Sequence, residues 1–350
     1  MIVAGMTILS GAILLVQALA HGHLSGLDEY DDGVYFGSAM QLVHGIMPYR
    51  DFGFIQPPFI AVVLSPFALA SHFVGTARAF EGARLFIVAI ATANTALVGL
   101  LLRRRPVAEM IVAMGVMAVY PGAVSSAQTV LLEPVMVCLT LLACVAIFDG
   151  GDFTASRRRA IVAGLLLGVA ASTKIWAFGP ALVVAYLLWR CDRRRQFSRR
   201  AERFLLGLAA GFWLICLPFF FGAPQSFLRQ VFVTQAVRSG GGYAFEERLV
   251  DLSGVAGPTH VVAPTSTLGG AMVGVCLIGL LAFMAYRRAG RPLGDLEQVA
   301  LLCAFGVATF LALSPTYYYH YSGFEAPFLA LSAGFVSGRL AEPLPRWTTP

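Results

Sequence analysis

The chain has 350 residues, 58% of them hydrophobic and 13% charged, with a formal net charge of +6. Soluble domains carry about 25% charged residues, so a soluble fold is excluded and no large soluble domain fits beside the apolar runs. The positive charge does not mark a nucleic-acid binder, because the arginines cluster beside apolar runs, as the inner loops of membrane proteins do.

The first apolar run covers residues 3–21. No Lys or Arg precedes it and it is long for a signal-peptide core, so it reads as a retained span. The segment 22–82 follows, and its stretch from Leu27 to Pro58 holds five carboxylates: Asp28, Glu29, Asp31, Asp32 and Asp51. Asp31-Asp32-x-x-Tyr35 opens an expected short helix that runs to His44 and is closed by Gly45, acidic residues suiting a helix N-terminus. Tyr35, Phe36 and Met40 draw that helix towards the membrane surface, where a carboxylate can serve as a general base.

Residues 57–75 are apolar but contain Pro57, Pro58 and Pro66 and carry Ser71-His72 near their end. Further apolar runs lie at 83–102, 107–124, 130–148, 160–174, 176–190, 204–222, 264–286, 297–313 and 324–338, which makes about ten spans with the first. If 57–75 lies outside as an interfacial helix, 18 of the 25 basic residues fall on the inner side. Counting it as a span would put four basic loops outside, against the charge bias. The expectation is therefore an all-α, multispanning single membrane domain over 1–350 with both termini cytoplasmic. Two long outer segments remain, 22–82 and 223–263, the second carrying Ser239-Gly240-Gly241-Gly242 and the charged residues Arg229, Arg238, Glu246, Glu247 and Asp251.

The six cysteines show no CxxC spacing, so neither a disulfide framework nor a zinc site is indicated. His21 and His23 could chelate with Asp28, but the spacing is not that of a tight metal site. No metal ligand is assigned, and a divalent ion stays open. The glycine run lacks the strand, lysine and helix of a phosphate loop, and reads as a mobile lid or a flexible surface loop.

Glu133 and Lys174 are ionisable groups at the edges of apolar helices, where such groups line a cavity or pair with a partner. Two readings stand: a structural Glu133–Lys174 ion pair, or a lysine that neutralises a bound phosphate. Lys174 is the only lysine in the chain. His320, inside Tyr318-Tyr319-His320-Tyr321, sits where an aromatic belt is expected anyway.

The order DDGVY, MPYRDFGFIQPP, an interfacial helix and then Ala83-Arg84-Leu85 resembles the first periplasmic loop of GT-C glycosyltransferases, the class that includes lipid A aminoarabinose transferases and protein O-mannosyltransferases. Leu131-Leu132-Glu133-Pro134, Ala171-Ser172-Thr173-Lys174 and the tyrosine-rich stretch before Pro327 resemble later motifs of that class. The resemblance implies a GT-C helical bundle that transfers a monosaccharide from a polyprenyl-phosphate carrier to a lipid, glycan or protein hydroxyl on the outer face, with inversion. It implies Asp31 as general base with Asp32 sharing or orienting, Lys174 and His320 at the donor phosphate, and Tyr35, Arg50, Asp51, Gln56, Glu133 and Tyr321 at the substrate. Some relatives have Lys where this chain has Gln56. A lipid-linked-sugar flippase or transporter, and an outer-face glycan polymerase or ligase, are the alternatives; the first would favour midplane charges and repeated broken helices, which are not visible here.

Overall fold

The computed structural model describes residues 1–22, 24–26, 29–194, 199–238, 243–254, 279–280, 282–284, 286–287 and 292–341. His23, Asp28, the Ser239–Gly242 run and most of the expected 264–286 span lie outside the described residues. The described chain is almost wholly helical, with one small antiparallel hairpin pairing Phe148–Asp149 with Asp152–Phe153. It is a multi-pass membrane fold. Among the described residues five helices are long and apolar enough to cross a bilayer: Ile2–Leu19 (α1), Thr76–Leu101 (α4), Ile175–Arg193, Arg200–Gly222 (α10) and Asp295–Leu313 (α14). Shorter apolar helices are Phe59–Val74 (α3), Val107–Val119 (α5), Glu133–Ile147 (α7) and Ala326–Ala341 (α15).

Local chemistry sets several of these boundaries. The acidic helix α2 covers Tyr30–Val43 and is capped by His44. Gly75, at φ 86°, separates α3 from α4, which starts at Thr76 rather than Ala83 and so draws Arg84 inside a helix of 26 residues. The apolar run 107–124 is broken at Tyr120-Pro121, leaving the short α6 at Pro121–Ser126, and Pro134 occupies the tolerated first turn of α7. Helix α8, Arg157–Ala171, begins at a Ser156 cap whose hydroxyl accepts from Arg159 N at 3.4 Å.

Helices α8 and α10 approach each other closely. A side chain at Gly164 or Gly168 would collide with the backbone of Phe204 or Leu208, and one at Gly207 or Gly211 with Ile161 or Leu165. Two small-x-x-x-small faces therefore meet, the arrangement by which membrane helices gain contact where no hydrophobic drive separates protein from lipid. From there the bundle continues α8–α7–α4–α1, with α5 against α15 and helix α9 (Phe178–Arg194) against α14.

The basic loops gather at one end. Arg104 bridges Asp149 at 2.7 Å, Arg200 bridges Asp192 at 2.8 Å, and Arg339 holds Glu297 at 3.0 Å. Leu296 N binds Gly151 O at 2.9 Å and Arg200 Nη1 donates to Thr154 O at 2.8 Å, so the hairpin stitches these loops together. The acidic helix α2 and the start of α4 occupy the other end.

Candidate functional site

The neighbouring carboxylates of α2 part ways. Asp32 turns inward and is fully buried, accepting from Arg84 Nη2 at 2.6 Å and from Thr129 Oγ1 at 2.5 Å. Arg84 also donates from Nε to Thr129 Oγ1 at 3.0 Å and from Nη1 to Leu24 O at 2.7 Å, with its guanidinium 4.2 Å from the Phe80 ring centre. A buried carboxylate tied this way joins the start of α2 to α4 and α7's leading loop. Asp31 keeps 26% of its side chain exposed, 3.9 Å from His320 Nε2 and accepting from the Tyr35 hydroxyl at 3.3 Å. Tyr35 lies four residues on, the spacing at which helix side chains meet. Burial, with Asp31 next to it, pushes the Tyr35 phenol well above its usual range, so Tyr35 stays a donor to Asp31.

Lys174 leaves the end of α8 in extended conformation and pairs with Glu133 at 2.8 Å, both side chains buried. Its ammonium lies 3.5 Å from the Trp176 ring centre and 3.8 Å from that of Tyr321, and the two rings meet edge to face at 4.6 Å. The ion pair of the first sequence reading is present, and the charge of Lys174 meets Glu133 and two aromatic faces. The second Glu133 oxygen, Oε2, is buried with no hydrogen-bond partner among the described residues.

The 3₁₀ turn Tyr319–Phe324 carries His320 and Tyr321 into this cluster. It can sit close because Gly122 and Gly323 face each other: a side chain at either would meet the backbone of the opposite segment. His320 is buried, flanked by Tyr318 with rings 6.0 Å apart and nearly parallel, and faces Glu133 as well as Asp31. Burial pushes the Tyr321 phenol up, Glu133 adding to the shift. Arg238, half-buried, donates to the Tyr318 hydroxyl at 3.4 Å and lies within electrostatic reach of Tyr321 and Asp31.

The MPYRDFGFIQPP segment contributes differently. Arg50 and Asp51 bind each other at 2.7 Å on the surface, and Asp51 Oδ2 accepts from Met47 N at 2.8 Å. Among the described residues their remaining side-chain hydrogen bond is to Gly45 O, and Asp51 N donates to Met47 O at 3.0 Å, so they shape a turn and are not brought to Asp31 or Lys174. Tyr49, at φ 69° in the region that favours glycine, is the buried anchor of that turn, donating to Gln56 O at 2.5 Å. Gln56 is buried, and its Oε1 has no partner among the described residues. Beside it Phe59 N binds Ser172 O at 3.0 Å and Gln235 Nε2 donates to Ile55 O at 2.8 Å, which runs residues 55–59 between the end of α8 and the segment carrying Arg238.

An apolar groove of about 460 Å³ starts at Trp176 and runs between α9 and α14, lined by Ile175, Val183, Phe232, Val307, Phe310 and Phe324. Leu302 and Phe310 on its wall are exposed on the bundle surface. The second outer segment closes the site's far side through helix α13, Phe245–Ser253 (preceded by α11, Pro224–Leu228, and α12, Thr234–Val237). There the Tyr317 hydroxyl donates to Asp251 Oδ2 at 2.5 Å, the Tyr120 hydroxyl donates to Leu252 O at 2.7 Å, and burial pushes the Asp251 carboxyl up to about 6. Among the described residues no group of three or more His, Cys, Asp or Glu is placed to hold a metal ion.

Sequence reasoning missed Arg84, Trp176 and the role of Arg238. Arg84 and Trp176 did leave signals: an arginine at the start of an apolar span calls for a buried anion, and a tryptophan two residues after a membrane-edge lysine offers it a ring face.

A family model described as Glycosyltransferase family 87 matches residues 54–315, a stretch that holds Glu133 and Lys174 and begins after Asp31. No curated protein matches the chain. Two crystal structures of ArnT from Cupriavidus metallidurans share its fold. The one bound to undecaprenyl phosphate superposes with a TM-score of 0.65 at 17% identity over 95% of this chain. The apo form gives 0.66 at 16% identity over 96%. The chain spans 60% of the length of these relatives.

Proposed function

Because the chain belongs to glycosyltransferase family 87, a GT-C family, and is a membrane glycosyltransferase, we propose that it transfers a monosaccharide from a polyprenyl-phosphate carrier to an acceptor hydroxyl on the outer face. The observation that carries the reading is a partly exposed carboxylate, Asp31, 3.9 Å from His320 in the cluster where Tyr321 packs on Trp176, a residue that lines an apolar groove. A carrier chain in that groove would bring its phosphate to the cluster of Arg238, His320 and Tyr321, and its sugar towards Asp31. The ArnT structure with undecaprenyl phosphate supports a carrier of this kind.

In the proposed reaction the acceptor O–H loses its proton to Asp31 as its oxygen attacks the anomeric carbon. The bond from that carbon to the phosphate oxygen breaks, the electron pair leaves with the carrier phosphate, and the centre inverts. Tyr35 and His320 hold Asp31 in place. Asp32, whose Oδ2 is held by Arg84 and Thr129, orients the helix rather than accepting the proton. The phosphate charge expected at Lys174 passes to Arg238, a guanidinium suited to phosphate, while the Lys174–Glu133 pair braces Trp176 and Tyr321. Glu133 Oε2, Gln56 Oε1 and Asp32 Oδ1 are open acceptors for sugar hydroxyls. The basic loops at the opposite end support an inner location for that end and for the N-terminus.

The test incubates purified protein with a panel of polyprenyl-phosphate sugars and follows release of free polyprenyl phosphate. Asp31→Asn should abolish transfer and keep carrier affinity within about threefold, since the amide preserves shape and removes the base. An active Asp31→Asn protein would refute the assignment of the base.

A further inference from the structure

We propose that His44 and His72 form a surface site for a divalent transition-metal ion, with zinc as the fitting probe, that clamps the far end of α2 to α3. The two imidazoles come from different helices and face each other with ring centroids 5.5 Å apart and planes tilted by 57°. An imidazole nitrogen sits about 2.0–2.1 Å from zinc, which puts each centroid roughly 3.2 Å from the ion and two such centroids roughly 5.2 Å apart at a tetrahedral angle. The observed spacing is within a few tenths of an ångström of that for two rings sharing one ion.

The protonation state also fits. His44 Nδ1 lies 2.7 Å from the Met40 carbonyl oxygen. A carbonyl only accepts, so Nδ1 carries a proton and Nε2 is the nitrogen left to face a metal, the arrangement that orients most metal-binding histidines. Both rings are mounted rigidly, His44 as the cap of α2 and His72 in the last turn of α3, and the helices pack along their length. His44 and His72 are both exposed, so an ion has access, and the two coordination positions left over fall to water. The site is separate from the transfer chemistry: thirteen residues of helix at 1.5 Å each put His44 about 20 Å from Asp31. Its effect on α2 would be mechanical, pinning the helix that bears Asp31, Asp32 and Tyr35. It also differs from the His21, His23 and Asp28 set raised by the sequence.

Zinc binding to the full-length protein, free of any polyhistidine tag, can be measured by competition with a chromophoric chelator, with thermal unfolding as a second readout. One zinc should bind and raise the unfolding temperature. His44→Gln and His72→Gln should each weaken binding at least about tenfold, as loss of a group supporting a metal site does, and remove the thermal shift, while a His21→Gln/His23→Gln protein binds like the parent. Both key side chains lie at the surface, so the variants should unfold like the parent in the absence of zinc. No saturable binding by the parent, undiminished binding in His44→Gln and His72→Gln, or loss of binding in the His21→Gln/His23→Gln protein would each overturn the site.

Discussion

Replacing Lys174 with methionine keeps the bulk of the side chain and removes its charge, leaving Glu133 buried, with 1% of its side chain exposed, and without its cation. Removing one member of a buried ion pair costs about 3–5 kcal/mol, because the remaining charge is stranded. The faces of Trp176 and Tyr321, 3.5 and 3.8 Å from the ammonium, add about 0.5–2 kcal/mol each. Against a total stability of about 5–15 kcal/mol, Lys174→Met should unfold far more readily than the parent. Glu133→Gln should be destabilised similarly, since it strands the ammonium. The double variant removes both charges and should lose only the ring contacts, about 1–4 kcal/mol, giving a coupling of at least about 2 kcal/mol between the positions. Denaturant unfolding in mixed micelles, run on the parent, both single variants and the double, measures the cycle, with polyprenyl-phosphate affinity taken on the same samples. A Lys174→Met protein of parental stability that has lost affinity for polyprenyl phosphate would refute the argument and return the lysine to the donor phosphate.

The Asp251 carboxyl, raised by burial to about 6, favours its protonated form in the folded state, so its contribution is fully present below about pH 3.8 and is lost as pH rises through about 6. At 1.36 kcal/mol for each tenfold change the loss approaches roughly 3 kcal/mol, and Asp251→Asn should flatten the stability profile across that window. Gly168→Ala should separate α8 from α10 and cost more than about 2 kcal/mol, since the obstacle is backbone rather than a movable side chain; parental stability of that variant would contradict the packing. In a cysteine-free background, a cysteine at Tyr30, 85% exposed, should react with an impermeant reagent from outside intact cells. One at Arg104, whose side chain is 59% exposed among the basic loops, should react only after permeabilisation.

Much of the site's local structure could be read from residue order because it is governed by short-range rules. Acidic residues, then aromatic ones, then His44-Gly45 mark the start and end of α2, and the Asp31-to-Tyr35 spacing predicts the contact that forms. The alternatives for Lys174 were both visible, but choosing between them required knowing that α7 and α8 set Glu133 and Lys174 side by side. Asp32 and Arg84 are separated by 52 positions, and nothing in helical periodicity pairs them. Residues Arg50 and Asp51 show the reverse case: their neighbourhood resembles a family motif, yet adjacent opposite charges at an exposed turn satisfy each other. The packing of α8 on α10 was present as Gly164-x-x-x-Gly168 and Gly207-x-x-x-Gly211, a pattern that acquires meaning only when the two spans are known to touch. The count of about ten spans goes further than the described helices, of which five meet the length for a full crossing.

The groove at Trp176 has Leu302 and Phe310 on a wall that faces out of the bundle. A lipid-borne donor reaching it would arrive sideways, by diffusion within the bilayer, and its supply would be set by its mole fraction among the surrounding lipids rather than by its amount per unit volume. Rates measured in detergent should then fall as micelles are added at constant donor and enzyme, the signature of surface dilution. A half-saturation constant for this protein has a stable meaning only when written per lipid, and comparisons between micelles, discs and vesicles should be made on that scale.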